Sequence, residues 1–174
     1  MLVERRFLEI HPETPAEGRP VSELGYPPGQ WARMIENLDR MGKAEGIAFS
    51  ERTFTTNSHK ALLLAVASKE EGPKVFEALN EGLFRAYFTE GRNIGDPQVL
   101  REVAKAAGVP PGRIERAWSD ATCEGRLADD HEAASRIGIT GIPVFIIGNR
   151  WIIEGAVPVE MLREVAHKIA AGKP

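Results

Sequence analysis

Gly138-Ile-Thr-Gly-Ile-Pro-Val-Phe-Ile-Ile147 sets an apolar run directly behind a proline. Proline lacks an amide donor, so in a sheet it belongs at the first residue of a strand or on an edge. The pattern therefore predicts a strand that begins behind Pro143. An Ile142-Pro143 bond can also be held cis, at far lower cost than other peptide bonds. A cis turn there would present the backbone of Ile142 to whatever lies opposite. Gly148-Asn149 offers a two-residue reversal into a second strand over residues 150–154, so the pair reads as a hairpin. A helix follows, opened by Pro158 in its first turn and carrying Met161, Leu162, Val165 and Ile169 on one face.

Further upstream, residues 3–10 place Val, Phe, Leu and Ile among charged residues, the pattern of a strand with one wet face. Pro12, Pro15, Gly18 and Pro20 make a long connector. Trp31, Met34, Ile35, Leu38 and Met41 recur at helical spacing, and Gly46 stops that helix. Residues 47–49 read as a short extended piece. Asn57 or Ser58 caps a helix enclosing Ala61, Leu62, Ala65 and Val66. Val75, Phe76, Leu79, Leu83, Tyr87 and Phe88 form the inner stripe of the next helix. Asp96, followed by Pro97, opens another that Gly108 closes. Residues 114–118 make a short helix behind Pro110-Pro111, and residues 124–137 a longer one ended by Gly138. The order is strand, helical block, strand, strand, helix, with residues 30–137 as an all-helical insert.

Composition bounds the function. At 174 residues, 43% hydrophobic and 27% charged, the chain is long enough for a real core. A net charge of −3 gives no support for nucleic-acid binding. No apolar run reaches membrane-spanning length and the N-terminus has no signal-peptide core, so the expectation is a cytoplasmic protein with no membrane partner. One cysteine, Cys123, rules out an internal disulfide framework. His11, His59, His131 and His167 are scattered without metal-ligand spacing, so no metal or other cofactor is expected. There is no glycine-rich phosphate loop and no Gly-x-Ser-x-Gly elbow, which argues against nucleotide enzymes and serine hydrolases.

Gly138-Ile-Thr-Gly-Ile-Pro-Val-Phe-Ile146 resembles the Gly-Val-x-Gly-Val-Pro-x-Phe-x pattern of DsbA-like oxidoreductases. Phe7-Leu-Glu-Ile-His-Pro-Glu-Thr-Pro-Ala-Glu-Gly18 is similar to the segment behind the second strand in the FrnE-type branch. So are Asn57-Ser-His-Lys-Ala61, Phe84-Arg-Ala-Tyr-Phe-Thr-Glu-Gly91, Asn93-Ile-Gly-Asp96 and Leu100. That branch is related to 2-hydroxychromene-2-carboxylate isomerase and kappa-class glutathione transferase. The resemblance implies an α/β thioredoxin-like fold with a large all-helical insertion: residues 1–29 and 138–174 form a partial thioredoxin-like subdomain, residues 30–137 the insertion. It also implies that the N-terminal βα unit, with the family's Cys-x-x-Cys, has no counterpart here. Residues 3–10 and the outer edge of the 144–147 strand would then lack ladder partners. A rearranged sheet, a three-stranded sheet or a second copy of the chain could fill that slot. The expectation is a homodimer covering the open edge.

Candidate site residues follow from the same resemblance. Thr140, Gly141, Ile142 and Pro143 would shape a peptide-binding or glutathione-binding surface; the alternative is that they only turn the chain into a strand. Cys123, near a helix start where thiols are activated, has no base or resolving partner beside it in sequence and is not expected to be catalytic. His59 is expected in a cap or surface role. Trp31, Trp118 and Trp151 read as core, with Trp151 the one to watch at an interface. Three functions compete. The first is a DsbA/FrnE-like thiol–disulfide oxidoreductase family protein, inactive as this chain because it lacks the cysteine pair. The others are a glutathione-dependent isomerase or transferase relative, and a non-catalytic binding module.

Overall fold

The computed structural model of the chain describes residues 3–171; the first two and last three residues of the expected subdomains lie outside it. The chain divides into two compact units, Met1–Ala128 and Asp129–Pro174. The architecture is the expected α/β one, dominated by helix.

In the first unit the core is built around α2 (His59–Ser68), a helix apolar on nearly every side, with Ala61 and every residue from Leu63 to Ser68 buried. A helix hydrophobic all round belongs in the interior. Around it lie α3 (Pro73–Phe84), α4 (Pro97–Ala106) and α5 (Pro111–Ala117), each starting with the proline that fits a first turn. Leu64, Leu79 and Leu100 are completely enclosed where these helices meet, and each contributes about 1.5–3 kcal/mol relative to an exposed side chain. Asp96 caps α4 through its side chain, accepting from the Gln98 amide at 2.8 Å. α6 (Ala121–Arg136) begins in this unit and brings Cys123 and Leu127 into the core. Arg113 bonds Glu71 at 2.6 Å and Glu70 at 2.7 Å, and Arg126 bonds Glu70 at 2.8 Å. The Arg126 hydrogen bond, with the charge of Arg113, holds the Glu70 carboxyl below its usual range.

Residues 3–10 do not form the expected strand. They run as an irregular segment with Phe7 inserted into the helical core, edge-on to Phe76 at 6.2 Å. A lone alternating segment gains a ladder only where another strand offers one. Here a helical surface offered a slot for the aromatic ring instead. Residues 47–49 are likewise not a strand. The helical block does contain extended backbone at β2 (Phe54–Thr55), which pairs antiparallel with β1 (Arg19–Pro20) in the register Arg19↔Thr55. α1 (Gln30–Ala44) forms as its spacing predicts. Behind α3 the helix widens into a π-turn, Arg85–Thr89. It aims Tyr87 and Phe88 at Arg52, whose guanidinium lies 5.2 and 5.4 Å from their ring centres and 5.3 Å from that of Trp31.

In the second unit, β3 (Val144–Ile147) and β4 (Trp151–Glu154) form an antiparallel hairpin in the register Phe145↔Ile153 and Ile147↔Trp151. Gly148 (φ 62) and Asn149 (φ 53) both take left-handed backbone, which these two residue types tolerate best. The second strand starts at Trp151, one residue later than its sequence suggests. α7 (Val159–Ala170) follows, with Leu162, Val165 and Ile169 half-buried and Ile169 beside Gly148; Met161 stays exposed.

Candidate functional site

The four residues singled out in front of β3 lie together on the surface. Thr140, Gly141, Ile142 and Pro143 are all exposed, and the Ile142–Pro143 peptide bond is cis. The Pro143 carbonyl accepts from the Gly155 amide at 2.8 Å, which extends the hairpin ladder one step beyond β3. Pleating sorts the hairpin into two faces. Phe145, Ile147, Trp151 and Ile153 point one way and are partly buried. Ile146 and Ile152 oppose each other on the other face at 49% and 48% exposure, with Ile142 at 58%. Among the described residues β3 pairs with β4 alone, so its outer edge carries free backbone donors and acceptors. An edge of that kind is a template for an added strand.

Cys123 stands in the first turn of α6, where a helix dipole favours a thiolate, yet it is buried. Burial pushes the thiol above its ordinary value. The Asp120 and Glu70 carboxylates add to that rise, and Arg126 and Arg113 oppose it without reversing it. Desolvation decides the sign, and the sulfur sits in the core.

The structure gathers segments that are distant in sequence. Asn57 donates through Nδ2 to the Thr14 carbonyl and accepts at Oδ1 from the His59 amide at 2.9 Å. This turn, rather than a Ser58 side-chain bond, starts α2. Thr56 donates through Oγ1 to Asn93 Oδ1, and Asn93 donates through Nδ2 to the Glu17 carbonyl at 3.2 Å. The Gly95 amide donates to Thr56 Oγ1 at 3.0 Å and Asn93 Oδ1 at 2.9 Å. The segment 7–18, the start of α2 and the turn 93–96 thus share one polar knot. Nearby, both ring nitrogens of His59 meet carboxylates: Nδ1 lies 3.0 Å from Glu9 Oε2 and Nε2 lies 3.0 Å from Glu124 Oε1. Sequence spacing gave no signal for that pairing.

No group of three or more His, Cys, Asp or Glu residues able to hold a metal occurs among the described residues. No described helix is long and apolar enough to cross a membrane. An open groove along α1 is lined by Trp31, Ile35, Arg40, Lys43 and Arg52, but Glu36, Asp39 and Glu51 on the same walls cancel its positive charge. Trp118 packs against the core, its indole donating to the Lys60 carbonyl at 3.1 Å.

Comparison with known proteins agrees with this geometry. A solved structure described as a probable DsbA oxidoreductase from Streptomyces coelicolor is similar over 97% of this chain and 75% of its own, at 25% identity and a TM-score of 0.85. The cytosolic disulfide reductase DsbM from Pseudomonas aeruginosa, solved with GSH, is similar in fold at 20% identity, covering 83% of this chain and 74% of its own, with a TM-score of 0.57. No curated protein matches the sequence. The sequence model of the DSBA-like thioredoxin domain matches residues 3–166. The chain belongs to that family of thioredoxin-fold proteins.

Proposed function

We propose that these 174 residues form a strand-binding member of the DSBA-like family, of the FrnE-type branch, in which Cys123, the one cysteine they contain, performs no thiol–disulfide chemistry. The observation that carries the reading is the free outer edge of β3, flanked by exposed Thr140, Gly141 and Ile142. An extended peptide, with glutathione as its smallest case, adds to that edge through backbone hydrogen bonds, and the exposed Ile142 and Ile146 side chains supply apolar contact. Exchange needs a thiolate that can reach a disulfide sulfur. Cys123 is buried with its thiol pushed up, so it does not supply one. The colinear segments around Asn57 and Asn93 support the FrnE-type assignment by meeting in one polar knot, and a cytoplasmic location goes with this reading.

Amide chemical-shift mapping with an extended, uncharged peptide tests the proposal. Shifts confined to residues 140–147 support it. Saturable binding that leaves those amides unmoved refutes it, as does an absence of binding at millimolar peptide.

A further inference from the structure

His59 sits where three chain segments converge, and its two ring nitrogens face two different carboxylates at the same 3.0 Å. A neutral imidazole has one N–H and one lone pair. It can donate to only one of these carboxylates, and its bare nitrogen would then confront the other oxygen lone pair. Both contacts are satisfied together only by the imidazolium. Glu9 lies on the irregular segment that leads to Thr14, and its side chain is 14% exposed, so the carboxylate is largely withdrawn from water. Glu124 is on α6, 65 residues along the chain from His59, and more open.

We propose that His59 is a proton-operated clasp that fastens the segment around Glu9 to α2 and α6 when charged and loosens it when neutral. The surrounding charges favour this. The N-terminal segment brings Glu9 to the ring, while His11 and Glu13 pair with each other at 3.4 Å. On α2, Lys60 is turned to the Trp118 ring at 5.5 Å. From α6 the ring meets Glu124, while Arg126 is held by Glu70. Asp120 is occupied by the Thr122 amide. Lys60 and Arg126 are therefore both engaged away from the ring. Burial lowers the imidazole, but the bonds to Glu9 and Glu124 outweigh it, so the group is raised above its ordinary 6.5. A raised folded-state value means the clasp is complete below pH 6.5 and is lost as pH climbs through the folded value.

The inference is independent of peptide binding at β3, so the two fail separately. The test follows the His59 ring by NMR titration of the full chain, together with hydrogen-exchange protection factors for residues 7–14 from pH 6 to pH 9. The expected result is a ring protonated on both nitrogens at pH 6, titrating above 6.5. Protection should fall about two- to fivefold through that titration, the range set by loss of one partly screened ion pair. In H59Q the protection should be independent of pH, and E9Q should return the ring titration toward that of an exposed histidine. A His59 ring that titrates at or below 6.5 overturns the proposal. So does the same pH dependence of protection in H59Q as in the unaltered protein.

Discussion

Gly95 gives the sharpest structural test of the polar knot. Its amide is held by two acceptors, Thr56 Oγ1 and Asn93 Oδ1, so the residue cannot slide. A Cβ at this position would lie 2.5 Å from the Ala16 carbonyl oxygen and 3.1 Å from both the Asn57 carbonyl and Asn93 Oδ1. The nearest obstacle is backbone, which cannot rotate away as a side chain would. Gly95→Ala must therefore either compress the knot or lift the residue 93–96 turn off the segment leading to Gly18. Compression costs about 1–3 kcal/mol. Lifting leaves at least one partly buried polar group unpaired, at about 1–3 kcal/mol. By either route the expected loss is about 1–3 kcal/mol, read as a fall in the urea midpoint on the order of 1 M by circular dichroism. Gly112→Ala is the control. It lies near the start of α5 with nothing within 4 Å of the added methyl, so it should be neutral or stabilising by up to about 1 kcal/mol. A Gly95→Ala protein that unfolds at the unaltered midpoint would refute the knot as drawn.

Thr14 is 2% exposed and its hydroxyl has no hydrogen-bond partner among the described residues. Thr14→Val should therefore raise stability by about 1 kcal/mol in the same urea assay, because it removes an unpaid desolvation. The homodimer expected from the open hairpin edge is carried forward as a proposal resting on the exposed pair Ile146 and Ile152. Light scattering should give twice the chain mass at micromolar concentration, and Ile146→Lys should return it to one chain; a monomer in both proteins ends the proposal.

The hairpin and α4 were legible because their rules are local. Pro143 marks a strand start, Gly148-Asn149 supplies left-handed backbone, and Asp96-Pro97 opens a helix wherever it occurs. The family pattern around Pro143 carried the fold class for the same reason. Residues 3–10 were misread because alternation reports one wet face, not what the dry face meets. Only the assembled helices reveal that Phe7 faces Phe76 rather than another strand. β1 and β2 are two residues each, too short to leave any period. The His59 clasp joins partners 50 and 65 residues away, a choice of tertiary packing. Cys123 was ambiguous in sequence because a helix start and burial act on a thiol in opposite directions. The structure supplied the burial, and with it the sign.

Most direct of all is the fate of Cys123 in the presence of a disulfide. Native protein incubated with excess glutathione disulfide at pH 8 is quenched in acid and weighed intact by mass spectrometry. The account expects the unmodified chain mass, with the glutathione adduct appearing only when urea is added to open the core. A stoichiometric adduct on the folded protein, formed at the rate of an exposed thiol, would show that this chain keeps an exchange-competent sulfur and would contradict the claim that it binds without redox chemistry.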